Sequence, residues 1–103
     1  MNSIILNNRD QIGEICVKRN IISLTLFGSA TGDQFNPETS DLDFLVEFGN
    51  MNPGNHARQF FGFIEDMENL LHRRVDVIEP SGIRNPFFRS SVNASKELIY
   101  ARA

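Results

Sequence analysis

With 103 residues, the chain is expected to form one domain spanning 1–103, near the lower end of what a single hydrophobic core supports, and a multi-domain enzyme is not expected. The composition is 41% hydrophobic with four Pro and seven Gly, which argues for a packed core and against a disordered or fibrous chain. Ten Lys and Arg against thirteen Asp and Glu give a net charge of −3. No bulk field therefore favours a nucleic-acid backbone or an acidic membrane, and direct nucleic-acid binding is disfavoured. One cysteine, Cys16, and two histidines cannot make an internal disulfide or a closed zinc site, so a reducing, cytoplasmic setting is expected. The opening MNSIILNNRD lacks the basic start and apolar run of a signal peptide, and no stretch approaches the roughly 20 apolar residues of a membrane span.

In chain order, residues 8 to about 19 place Ile12, Ile15 and Cys16 on one helical face, with Asn8 as a cap and Asn20 suited to a left-handed turn. IISLTLF follows as a strand with Ile22, Leu24 and Leu26 on one face, stopped by Gly28. Residues 29–40 hold Gly32, Asp33, Asn36, Pro37 and Ser40 without a period and are expected to form a loop. DLDFLVEF alternates cleanly, sending Leu42, Phe44, Val46 and Phe48 one way and Asp41, Asp43, Leu45 and Glu47 the other. Residues 56–72 read as the longest helix, with Ala57, Phe60, Phe61, Ile64, Met67 and Leu71 at helical spacing and Asn52-Pro53 as its start. HRRVDVIEP gives a short strand with Val75 and Val77 on one face and Arg74, Asp76 and Ile78 on the other. Pro86 to about Ala94 suggests a helix with Phe87 and Val92 inward, and KELIYAR fits either a last helical turn or an edge strand. The sum is a layered α/β domain.

The chemistry lies in the acids. Asp41 and Asp43 project from one face of a strand roughly 7 Å apart, close enough to share a cation. Asp76 leaves its strand on the face opposite Val75 and Val77, so three carboxylates converge if the two strands are neighbours. Such oxygen ligands suit Mg²⁺, which takes a few carboxylates and completes its octahedron with water or phosphate. In a two-metal site the ions activate an attacking oxygen and stabilise a leaving one. Gly28-Ser29, at a strand end, offers close backbone approach and an amide and hydroxyl for phosphate oxygens. Each motif alone is ordinary: Asp-x-Asp is common, and Asp41 could cap a turn with Ser40. The conjunction carries the assignment. His56 and His72 read as surface or cap residues and Glu47 as a solvated neighbour. Phe60, Phe61 and Phe63 read as core with one exposed ring, and Arg74 as a phosphate contact or an ion-pair partner.

Gly-Ser, a loop, Asp-x-Asp on a strand and a third Asp on a later strand, here LFGSATGDQFNPETSDLDFLVEF and then VDV, resemble the nucleotidyltransferase superfamily. In length the chain is most similar to its minimal nucleotidyltransferase (MNT) members. The resemblance implies a small mixed β-sheet with helices on one face, Mg²⁺ (two ions) at Asp41, Asp43 and Asp76, and a nucleoside triphosphate, usually ATP, at Gly28 and Ser29. It implies transfer of AMP to a hydroxyl with release of pyrophosphate. It further implies an antitoxin role beside a helical HEPN toxin, silenced by adenylylation of a tyrosine. The alternatives are a non-catalytic antitoxin that occludes its partner, and a structural subunit with a relict site. A partner chain or homo-oligomer is expected to complete so small a pocket. Residues 30–40 contain no Lys or Arg, where many members carry arginine. Triphosphate charge must then be met by metal, backbone amides and a distant base such as Arg74, Arg84 or Arg89, or by another subunit.

Overall fold

The computed structural model describes residues 2–28, 41–80 and 96–102. Among these residues three helices, α1 (Ser3–Asn7), α2 (Arg9–Lys18) and α3 (Pro53–Leu71), accompany four strands, β1 (Ile21–Phe27), β2 (Leu42–Phe48), β3 (Val75–Ile78) and β4 (Lys96–Ala101). The sheet order is β3-β2-β1-β4. β1 runs antiparallel to both β2 and β4, and β2 runs parallel to β3 through the α3 crossover, which makes the sheet mixed. The expected Pro86–Ala94 helix and the 29–40 loop, Ser29 included, lie outside the described residues.

All three helices bury against one sheet face. Ile5, Ile12 and Cys16 from the N-terminal pair, and Phe63, Met67 and Leu71 from α3, share a cluster with Leu24, Leu26, Leu42, Phe44, Val46, Val75 and Ile99. No helix among the described residues is long and apolar enough to cross a membrane.

Sequence periodicity misses α1, whose five residues are too few to display a 3.6-residue repeat. Asn2 starts it, its Oδ1 accepting from the Ile4 amide at 2.9 Å. Asn8 stands at the N-cap of α2 but makes no side-chain cap bond there. Its amide instead donates to the Ile4 carbonyl at 2.8 Å. Asn20 adopts the expected left-handed backbone, with φ of 59°.

Two expectations about facing are corrected. In β1 a bulge falls between Ile21 and Ser23. It makes Ile22 the extra residue and turns Ile21, 1% exposed, into the core beside Leu24 and Leu26. In α3 the inward stripe runs through Phe63, Met67 and Leu71. Ala57 is exposed, and Phe61 is 67% exposed while Phe63 is fully buried. Three phenylalanines within four positions leave the sequence indifferent to the helix's rotation, and packing against β2 and β3 decides it.

α3 itself starts and stops for local reasons. Asn52 Oδ1 accepts from the Asn55 amide at 2.8 Å, and Pro53 occupies the first turn, where its missing N–H costs nothing. The helix ends at His72, whose left-handed backbone, φ of 54°, releases the chain toward β3. KELIYA forms the edge strand β4. A bulge opposite Leu24 and Thr25 gives Ile99 its buried position.

Candidate active site

The sheet face opposite α1, α2 and α3 carries the acids, because β2 alternates. Leu42, Phe44 and Val46 are buried on the helical side, so Asp41, Asp43 and Leu45 stand on the other. β3 aligns with it in parallel register, Leu42 opposite Val75 and Asp43 opposite Asp76. The strand adjacency on which convergence depends is therefore present. Asp43 and Asp76 share a side-chain hydrogen bond, and Asp41 acts on Asp43 through its charge. Burial, then the charge and hydrogen bond of Asp76, then the charge of Asp41 push the Asp43 carboxyl up to about 6.

Gly28 closes the site on the β1 side. It has a left-handed backbone, φ of 78°, and a β-carbon there would stand 2.7 Å from Asp43 Oδ2. The glycine thus leaves room for the carboxylate. Asp41 and Asp43 are half-buried, and Asp76 is exposed. The ion pairs recorded among the described residues join Lys18 and Arg19 to Asp66 and His56 to Glu79, and none of them involves Asp41, Asp43 or Asp76.

Register extends this arrangement into a row across the whole sheet. Asp76 faces Asp43, Asp43 faces Phe27, and Phe27 faces Lys96 on β4. Sequence reading did not single out Lys96, because KELIYAR could be assigned to helix or strand. Only strand pairing with β1 brings it to the same face.

Among the described residues no three Asp, Glu, His or Cys side chains form a ready-made metal cage. The donor set nevertheless fits Mg²⁺, which needs only one or two carboxylates and fills its remaining positions with water and phosphate oxygens. A half-buried carboxylate raised by two acidic neighbours is a site whose charge a divalent ion relieves.

The remaining polar residues are placed elsewhere. His56 Nε2 lies 2.7 Å from Glu79 Oε1, beside an open cavity of about 480 Å³ lined by Met51, Pro53, Phe60 and Phe61. This cavity adjoins the start of α3 and the end of β3, away from Asp43 and Asp76. Glu47 is exposed, further along β2. Arg74 is exposed just before β3, and its carbonyl accepts from the Leu42 amide at 3.3 Å. Cys16 is fully buried, and burial pushes its thiol up to about 12, which removes it as a nucleophile.

Comparison with known proteins agrees with this geometry. Residues 9–99 match the family model described as the nucleotidyltransferase domain. A protein of Methanocaldococcus jannaschii, named as a candidate protein adenylyltransferase, is 37% identical over 84 residues, 81% of this chain and 79% of that protein. The solved structure of a candidate minimal nucleotidyltransferase is 28% identical and superposes with a TM-score of 0.64 over 90% of each chain. A Shewanella oneidensis structure, a tri-AMPylated HEPN toxin in complex with an MNT antitoxin, shares the fold. It has a TM-score of 0.63 at 13% identity, over 94% of this chain and 72% of that one.

Proposed function

The chain belongs to the nucleotidyltransferase domain family, and from that premise we propose that it transfers AMP from Mg-ATP to a hydroxyl of a partner protein, a tyrosine of a helical HEPN toxin. The observation that carries the reading is the in-register pair Asp43 and Asp76 beside Gly28 on the sheet face opposite α1, α2 and α3. The adenylyl group and the partner are favoured by relatives named for protein adenylyl transfer and for a HEPN toxin complex.

Asp41 and Asp43 would hold Mg²⁺, with Asp76 contributing to a second ion. When bound, the metal neutralises the triphosphate and stabilises the pyrophosphate that leaves. Gly28 and Ser29 take the phosphates at the end of β1. Asp76, the most exposed of the three acids, orients the acceptor hydroxyl and accepts its proton. The acceptor oxygen forms its bond to the α-phosphorus as the bond to the pyrophosphate oxygen breaks.

The test is Mg²⁺-dependent transfer of label from α-labelled ATP to a co-expressed HEPN partner, with Asp41→Asn, Asp43→Asn and Asp76→Asn as comparisons. Label on a tyrosine, lost at least 100-fold in each variant, is expected, given what removal of a residue bearing on transition-state charge costs. Transfer that survives all three substitutions overturns the assignment. A tight complex without any transfer favours neutralisation by occlusion.

A further inference from the structure

We infer that Glu68 is a positioning residue for Asp76: it pins the start of β3 so that Asp76 stands opposite Asp43, a role resting on the nucleotidyl-transfer reading above. β3 needs such a pin. It has four residues and ends the sheet among the described residues, with β2 as its neighbour. Its pairing with β2 begins at Val75, one position before Asp76 meets Asp43. Like charges facing one another across neighbouring strands oppose pairing. The acids therefore push β3 away from β2 at the point where the site needs it held. The bond on the β2 side there is long, the Leu42 amide donating to the Arg74 carbonyl at 3.3 Å.

Glu68 acts from the side away from β2. In an extended chain the backbone groups of successive residues point alternately to the two flanks of the strand. The Arg74 carbonyl points at β2, so the Val75 amide points away from it. That amide donates to Glu68 Oε2 at 3.1 Å, and a carboxylate acceptor makes the bond one of the stronger kind. The backbone carbonyl of Glu68 accepts from the His72 amide at 2.9 Å. One residue thus holds both ends of the three-residue link, His72 to Arg74, between α3 and β3. Its own anchorage is firm: half-buried on α3, it follows Met67, which is fully buried in the core with Phe63. Glu68 belongs to the helical layer, across the sheet from the three acids, and bears on the chemistry through Val75 and Asp76. Asp41 and Asp43 are held separately, by the pairing of β2 with β1.

The experiment follows backbone amide exchange by NMR in the full chain, and kcat and KM for Mg-ATP in label transfer to the co-expressed HEPN partner. Wild type is compared with Glu68→Ala, which keeps helix propensity, and with Glu68→Gln, which keeps an acceptor oxygen. Glu65→Ala, at an exposed position of α3, is the control, and each variant is checked by thermal unfolding. Glu68→Ala is expected to speed exchange at Val75 and Asp76 about tenfold or more, the scale of a charge-assisted hydrogen bond. It should lower kcat about tenfold or more, since displacing a reacting group by about 1 Å costs up to about 100-fold, while KM for Mg-ATP stays within about twofold. Glu68→Gln should restore most of both losses, Glu65→Ala should change neither, and Glu68→Ala should add little to the loss already caused by Asp76→Asn. Exchange that quickens evenly over the whole sheet, unchanged kcat in Glu68→Ala, or a full further loss on top of Asp76→Asn overturns the role of Glu68 and leaves the transfer reading intact. Failure of wild type to transfer label overturns both.

Discussion

Asp43 Oδ2 occupies the space beside Gly28 so closely that a β-carbon at position 28 would lie 2.7 Å from it. The two residues are fitted to one another, and the left-handed φ of 78° at Gly28 adds a second reason for glycine. Gly28→Ala is therefore expected to cost about 1–2 kcal/mol from backbone strain alone, and to push the Asp43 carboxylate out of line with Asp76. Urea unfolding and Mg-ATP titration check the two effects separately. An alanine variant with wild-type nucleotide affinity would show that the carboxylate position is not what the site depends on.

Asp43 also gives the protein an unusual pH dependence. Its carboxyl is raised from the ordinary 3.8 to about 6, so between those values the native chain holds a proton that the unfolded chain has released. The contribution of this group to stability therefore falls as pH rises through that window. Below about 4 the penalty is absent, and above about 6 it is complete. Asp43→Asn removes it. In metal-free buffer the variant should be more stable than wild type at pH 7 by about 1–3 kcal/mol, and no more stable at pH 3.5. Mg²⁺ should reverse the order at pH 7, because it stabilises only the chain that retains the carboxylate. Chemical unfolding with and without EDTA at the two pH values measures both differences.

The acids of this site were legible in the sequence because a period of two on β2 assigns Asp41 and Asp43 to one face without any tertiary knowledge. That Asp76 stands opposite Asp43 could be stated only conditionally, since strand adjacency and register are long-range properties. Lys96 was hidden for the same reason. The rotation of α3 and the bulges at Ile22 and Ile99 were beyond reach because neighbouring apolar residues compete for one core position. Which of them wins depends on the opposing surface. Local signals did better where the backbone itself is constrained: Asn20, Asn52-Pro53 and the stop at Gly28 all do what their residue types favour.

Arg19 ties the end of α2 to the middle of α3, its Nε donating to Asp66 Oδ2 at 2.8 Å and its Nη1 to Gln59 Oε1 at 3.2 Å. Both partners of the ion pair are largely shielded, 17% and 20% exposed. Arg19→Ala is expected to lose about 1–3 kcal/mol at pH 7. The Arg19 hydrogen bond is the main cause holding the Asp66 carboxyl below its usual range. Its stabilisation is thus fully present above about 4 and disappears as pH falls through the lowered value. The cost of Asp66→Asn, read from urea midpoints, should accordingly shrink toward zero in strong acid.

The rotation of α3 is tested by a pair of substitutions two positions apart. Phe63 is fully buried against the sheet, and Phe63→Ala should cost about 3–5 kcal/mol through lost burial and the cavity left behind. That is a large share of the stability of a chain this small. Phe61 is 67% exposed and meets Phe60 edge-on, with ring centroids 5.3 Å apart. Phe61→Ala should stay within about 1 kcal/mol, since it gives up one aromatic contact and little burial. The same Phe61 variant should bind Mg-ATP as wild type does, because the residue borders the cavity at the start of α3 and not the acidic face. Equal losses at 61 and 63 in thermal or urea unfolding would mean that α3 is turned differently against β2 and β3, and the path that sets Asp76 beside Asp43 would then have to be redrawn.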